Sequence, residues 1–131
     1  MRKNILIVED EIRIRFLLRD YFQKEGFLVY EAENGKEALE IFKNNKIDLI
    51  ILDIMMPVMD GLTTLEKIRE VSTIPVILLT AKGQEEDKLQ GYDFGADDYI
   101  TKPFSPKVLV AKVKALLKRT SEKVDSSTQD F

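Results

Sequence analysis

The stretch Leu49-Ile50-Ile51-Leu52-Asp53-Ile54-Met55-Met56-Pro57-Val58-Met59-Asp60-Gly61 joins an unbroken apolar run to a carboxylate, and then to a loop punctuated by Pro57 and Gly61. A strand buried on both faces reads as such a run, whereas a half-exposed strand alternates apolar and polar residues. Three other runs share the design: Ile5-Leu6-Ile7-Val8 before Glu9 and Asp10, Val76-Ile77-Leu78-Leu79 before Thr80, and Tyr99-Ile100-Thr101 before Lys102. Open α/β sheets bind ligands in the crevice outside the carboxyl ends of their strands. Three carboxylates, a hydroxyl and an ammonium are therefore expected at one mouth.

Between these runs the spacing turns helical. Ile14, Leu17, Leu18, Tyr21 and Phe22 recur at helical intervals and Gly26 follows as a stop. Leu28 to Ala32 reads as a short second strand, and Asn34 with Glu37 three positions on reads as a capping pair for a helix through Phe42 and Lys43. Leu62 to Glu70 resumes helical spacing after the loop, Pro75 opens the fourth strand, and Gly83 to Phe94 gives a weak, polar fourth helix. Pro106 suits a first helical turn, and Leu109, Val113, Leu116 and Leu117 form the stripe of the last helix. Strands joined by crossover helices make a parallel sheet with helices on both faces. The expected fold is a flavodoxin-like (βα)5 three-layer sandwich whose five-stranded parallel sheet takes the order 2-1-3-4-5. That order, which the pattern by itself does not dictate, would set Glu9 and Asp10 beside Asp53, with Thr80 one strand away and Lys102 flanking.

Clustered carboxylates repel one another, which raises a pKa or recruits a hard cation, and Mg²⁺ suits a few carboxylate oxygens plus water or phosphate oxygens. Beside such a metal an aspartate can act as a nucleophile toward phosphorus, with a lysine neutralising oxygens of the transferred group. Each residue alone has a plainer reading: a helix cap for Asp10 or Asp53, a strand-end hydroxyl for Thr80, a solvated cation for Lys102. Their joint recurrence at successive strand ends argues for a phospho-aspartate site instead.

Composition narrows the field. A chain of 131 residues has single-domain size, at which roughly two thirds of the unfolded surface is buried. The 20 basic and 23 acidic residues give a net charge of −3, so bulk electrostatics do not favour nucleic acid or an anionic membrane. With no cysteine there are no disulfides and no thiolate chemistry, and with no histidine there is no Ser-His-Asp triad and no His-ligated metal. Any phosphohistidine donor lies on another molecule. The basic Met1-Arg2-Lys3-Asn4 precedes only four apolar residues, so no signal peptide or membrane span is expected and a cytoplasmic location is the default.

Val8-Glu9-Asp10-Glu11, Leu52 to Gly61, Leu79-Thr80-Ala81-Lys82 and Gly95-Ala96-Asp97-Asp98-Tyr99-Ile100-Thr101-Lys102-Pro103-Phe104 together resemble the receiver (CheY-like) domain of two-component response regulators. Gly-Ala-Asp-Asp-Tyr followed by Thr-Lys-Pro-Phe-Ser-Pro resembles the OmpR/PhoB class, whose receivers are joined to a C-terminal winged-helix DNA-binding domain. The resemblance implies a receiver over residues 1–119, with 120–131 as a linker or tail and DNA bound only through a domain outside this chain. It implies that Asp53 accepts a phosphoryl group from a sensor histidine kinase, and that the chain is a switch that acts on itself, not an enzyme. Mg²⁺ would be held by Asp10, by Asp53, by Glu9 through water and by the backbone carbonyl of Met55. Lys102 would bridge the phosphoryl oxygen and the carboxylates, with a cis peptide before Pro103. Thr80 and Tyr99 would form the switch, although an ordinary half-buried strand tyrosine is the plainer reading of Tyr99. Lys88, Asp97, Asp98, Lys114 and Arg119 match a homodimer face built from the fourth helix, fifth strand and last helix. Val108 and Lys112 depart from that pattern, and lysine cannot copy a guanidinium fork. A haloacid-dehalogenase-type phosphatase would need Asp-x-Asp on the first strand, and Glu9-Asp10-Glu11 would repel the phosphate of a flavin. A degenerate or stand-alone receiver used as a protein-binding module is the competing reading.

Overall fold

The computed structural model describes residues 2–81 and 92–129, with side chains as far as Thr120. Five parallel strands, β1 (Asn4–Val8), β2 (Leu28–Ala32), β3 (Leu49–Asp53), β4 (Val76–Ala81) and β5 (Asp98–Lys102), form one sheet in the order β2-β1-β3-β4-β5. The described helices are α1 (Ile12–Lys24), α2 (Gly35–Asn44), α3 (Gly61–Arg69) and α4 (Pro106–Gln129). The expected fold and strand order are both present.

Side chains alternate across each strand, and here both faces are covered. Ile5, Ile7, Leu49, Ile51, Ile77 and Leu79 join one core with Leu18 and Phe22 of α1 and with Leu109, Val113, Leu116 and Leu117 of α4. Leu6, Val8, Ile50, Leu52, Val76 and Leu78 join the other, with Ala38 of α2 and Leu65 and Ile68 of α3. The continuous apolar runs follow from this double burial. Leu17, counted in the apolar stripe of α1, instead lies 46% exposed.

Helix boundaries follow local chemistry. At the end of α1, Gly26 donates to Gln23 O and Phe27 to Phe22 O, the double bond of a Schellman motif. Gly26 takes φ +90°, which a residue without Cβ adopts freely, and the Phe22 and Phe27 rings meet edge to face at 5.6 Å. Asn34 Oδ1 accepts from Glu37 N at 2.9 Å, so the expected cap of α2 is present. Asp60 Oδ1 caps α3 by accepting from Thr63 N at 2.8 Å.

Two stretches differ from the sequence reading or escape it. The backbone of α4 stays helical to Gln129, past Arg119, where the last helix was expected to give way to a linker or tail. Nothing after Pro106 interrupts a helix, since residues 107–131 contain neither glycine nor proline. The expected fourth helix, residues 83–94, falls mostly outside the described residues, as does Lys88. Tyr92 and Asp93 are helical, and Gly95 then turns the chain at φ +97° into β5.

Candidate functional site

The sheet order sets β1 and β3 side by side, with Val8 level with Leu52, so the residues that follow or end these strands meet. Asp53 closes β3 and is 4% exposed, Glu9 is fully buried just beyond β1, and Asp10 beside it is exposed. One carboxylate oxygen from each of the three lies within 4.8 Å of the others. Lys102, at the end of β5, reaches across β4 to this cluster. Its Nζ lies 2.6 Å from Glu9 Oε1 and donates to Asp53 Oδ2 at 3.1 Å. The Lys102-Pro103 peptide is cis, as expected from the resemblance.

Three acids against one ammonium leave the cluster short of positive charge. Burial pushes Glu9 up to about 8, and the hydrogen bond and charge of Asp53 push the same way, while Lys102 pulls back. For Lys102 burial acts downward, but its hydrogen bond to Glu9 and the charges of Asp53 and Glu9 outweigh it, so the ammonium is held above its ordinary value. Carboxylate oxygens gathered this closely, with Glu9 among them resisting ionisation, suit a hard divalent cation. Asp10 borders a cleft of about 350 Å³ lined also by Glu33, Asn34, Pro57 and Val58, which leaves an open side to the cluster.

The loop after Asp53 is built by close approaches. Met55 N donates to Asp53 Oδ1 at 3.2 Å, Ile54 N to Leu79 O at 3.1 Å and Gly61 N to Ile54 O at 2.8 Å. A Cβ on Gly61 would fall 2.2 Å from Asp53 O, so only glycine lets α3 start there. Val58, 78% exposed in the same loop, has φ +72°, a strained conformation for a β-branched residue.

Thr80 is level with Thr101 on β5 and 1% exposed, and its hydroxyl has no hydrogen-bond partner among the described residues. Tyr99 is half-buried and meets Tyr92 edge to face at 5.5 Å. Of the expected dimer-face residues, the described ones, Asp97, Asp98, Lys114 and Arg119, lie away from the acidic cluster, and three of them have partners within the chain. Asp97 pairs with Arg69 at 3.0 Å, Asp98 with Lys112 at 2.9 Å and Lys114 with Glu25 at 3.2 Å. Arg119 is exposed beside a cleft of about 180 Å³ that Asp97 also lines.

Sequence reading did not find Arg15 or Arg69. Arg15 lies on the first turn of α1, yet its partners are Glu9 O at 2.9 Å and Glu31 Oε1 at 3.1 Å. Arg69 joins α3 to Gly95 O and Asp97. Both act across the fold, and no local pattern announces such contacts.

This arrangement of parallel sheet, paired acids and strand-end lysine defines a class, and comparison with known proteins agrees. The family model for the response regulator receiver domain matches residues 5–114. The chain belongs to the response regulator receiver domain family. The transcriptional regulatory protein SrrA of Staphylococcus aureus is 52% identical over 120 residues, covering 92% of this chain and 50% of that protein. Among solved structures, the receiver domain of the TMAO respiratory system response regulator TorR is 42% identical with a TM-score of 0.85, covering 89% of this chain and 98% of that one. The Francisella response regulator 1452 receiver domain is 38% identical with a TM-score of 0.85, covering 91% and 99%. The chain spans about half the length of the curated relatives it matches.

Proposed function

We propose that Asp53 accepts a phosphoryl group and that this event switches the chain between two arrangements. The observation that carries this reading is Lys102 Nζ held between Glu9 and Asp53 at the mouth where three carboxylates converge. An oxygen of Asp53 attacks phosphorus, forming an O–P bond as the N–P bond of a phosphohistidine breaks and its electron pair returns to the imidazole. That histidine belongs to a sensor kinase, since this chain has none. Asp10, Asp53, the Met55 carbonyl and Glu9 would hold Mg²⁺, Glu9 through water, and the ion would supply charge neutralisation of the phosphoryl oxygens. Lys102 supplies a fixed cation to the same oxygens.

Thr80 carries the signal outward. Its buried hydroxyl has no partner among the described residues, a lack that costs about 1–3 kcal/mol where nothing else supplies the bond, and a phosphoryl oxygen on Asp53 would satisfy it. Its shift opens room for Tyr99, so added charge at Asp53 biases the β5 side of the fold. That side, with Asp97, Asp98, Lys114 and Arg119, pairs with a second copy once phosphorylated, with Asp97, Asp98 and Lys114 exchanging ion pairs now closed within the chain, and Lys88, outside the described residues, belongs to the same reading. Transcription is the output, through a DNA-binding domain outside this chain, as the name of SrrA and its twofold greater length suggest. The OmpR/PhoB class and a cytoplasmic site of action belong to the same reading. Among the described residues no helix is long and apolar enough to cross a membrane.

The test is intact-mass spectrometry after incubation with acetyl phosphate and Mg²⁺. One phosphoryl group is expected on Asp53, alkali-labile as an acyl phosphate, and none on Asp53→Asn. Full labelling of that variant would move the nucleophile elsewhere, and no uptake by the unaltered chain would leave a protein-binding module.

A further inference from the structure

Glu9 is the first residue past the last pairing of β1 with β2. Its N–H still finds a partner, donating to Ala32 O at 3.0 Å. Its carbonyl points to no strand and instead accepts from Arg15 Nη1 at 2.9 Å. Arg15 reaches there because side chains on a helix lean toward its N-terminus, and Arg15 N donates to Glu11 O within the first turn of α1. The guanidinium is itself fixed. Arg15 Nε donates to Glu31 Oε1 at 3.1 Å, and Arg19 Nη1 stands 3.7 Å from the other oxygen of Glu31. The Arg15 side chain is only 12% exposed and the Glu31 side chain 28%.

The carbonyl that Arg15 holds belongs to the peptide joining Glu9 to Asp10. That peptide links the two acids, one buried against Lys102 and one exposed at the cleft, so fixing its plane fixes ψ of Glu9 and φ of Asp10, the torsions from which both side chains are set. We propose that Arg15, anchored by Glu31, is a positioning residue that sets the Glu9-Asp10 peptide and through it the directions of both carboxylates. Arginine is required because two donors must point in different directions from one rigid plane, which a lysine ammonium cannot reproduce at this reach. Partners behind metal ligands commonly matter about 10–100-fold in metal affinity.

The proposal rests on the reading of the acidic cluster as a metal site, and the test separates the two. Mg²⁺ affinity is measured by calorimetry for the unaltered chain, Arg15→Met, Arg15→Lys, Glu31→Gln and Ile68→Val, the last a core change on α3 that lowers stability without touching the site. The Glu9 carbonyl carbon and the Asp10 and Glu11 amides are followed by NMR in metal-free protein. Arg15→Met is expected to lose about tenfold in Mg²⁺ affinity, with Arg15→Lys and Glu31→Gln in between and Ile68→Val unchanged. The metal-free signals of Glu9, Asp10 and Glu11 should move in the Arg15 variants and stay in Ile68→Val. Unaltered affinity in Arg15→Met, or a loss matched by Ile68→Val, overturns the proposal. If the unaltered chain binds no Mg²⁺, the metal reading fails by itself. The metal-free signals then decide, and stationary Glu9, Asp10 and Glu11 resonances in Arg15→Met overturn the positioning role.

Discussion

Single residues in the loop after Asp53 decide how that carboxylate is presented. Val58 holds φ +72° with its side chain in solvent, so the strain, about 1–3 kcal/mol for such a residue, is offset by no burial. Val58→Asn should therefore stabilise the chain by about 1 kcal/mol, because asparagine tolerates the left-handed region. Urea unfolding should show a higher midpoint at unchanged slope, and a midpoint at or below that of the unaltered chain would refute the strain argument. Gly61 is the opposite case. A methyl group there meets Asp53 O and the Ile54 backbone, neither of which can yield without moving the acid. Gly61→Ala should cost about 1–3 kcal/mol or more and slow the labelling of Asp53 by acetyl phosphate. Unaltered stability together with unaltered labelling would show that the loop can give way. The sequence marked Gly61 as punctuation but said nothing of the handedness at Val58, because a loop's φ angles are set by where its two ends must arrive.

Among the elements, what was legible is what local chemistry controls. The double burial of β1, β3 and β4 wrote itself as unbroken apolar runs, and Gly26 and the Asn34-Glu37 pair marked helix ends through bonds within a few residues. Asp97 matches the dimer-face pattern in the sequence, and in the fold Asp97 Oδ2 also accepts from Val76 N at 2.8 Å and from Arg69 Nη2 at 3.0 Å. One carboxylate thus ties the start of β4 to α3, over separations of 21 and 28 residues that no local pattern spans. Asp97→Ala should cost about 1–3 kcal/mol by stripping the Val76 N–H of its partner. Removing the partly exposed Asp98-Lys112 pair with Lys112→Met should cost under about 1 kcal/mol. Thermal unfolding of the two variants side by side checks the ranking, and equal losses would make Asp97 an ordinary surface acid.

Across the whole molecule, the proposed metal site would couple folding to Mg²⁺. A ligand bound only by the folded chain adds about 2.7 kcal/mol at a hundred times its dissociation constant. Mg²⁺ should accordingly raise the melting temperature of the unaltered chain and leave Asp10→Ala near its metal-free value, since Asp10 is the exposed acid of the three. An equal rise in Asp10→Ala would contradict the site as proposed. The site's convergence was legible from four strand ends, while the direct contact of Lys102 with Glu9 depended on the order in which the strands lie. That order also divides the site by neighbours. Asp53 ends β3 and Glu9 and Asp10 directly follow β1, strands each laced to a neighbour on both sides, whereas Lys102 ends β5, which among the described strands has β4 alone as its neighbour. Among the described strands, the backbone leading to the acids is therefore held from two sides and that of Lys102 from one. Amide hydrogen exchange should find β1 and β3 among the slowest protons in the chain, opening only with global unfolding, and β5 exchanging through smaller, cheaper openings. Addition of beryllofluoride, a stand-in for the phosphoryl group, should slow β1 and β3 by the rise in global stability, and slow β5 by a comparable factor because opening β5 takes Lys102 away from the bound group.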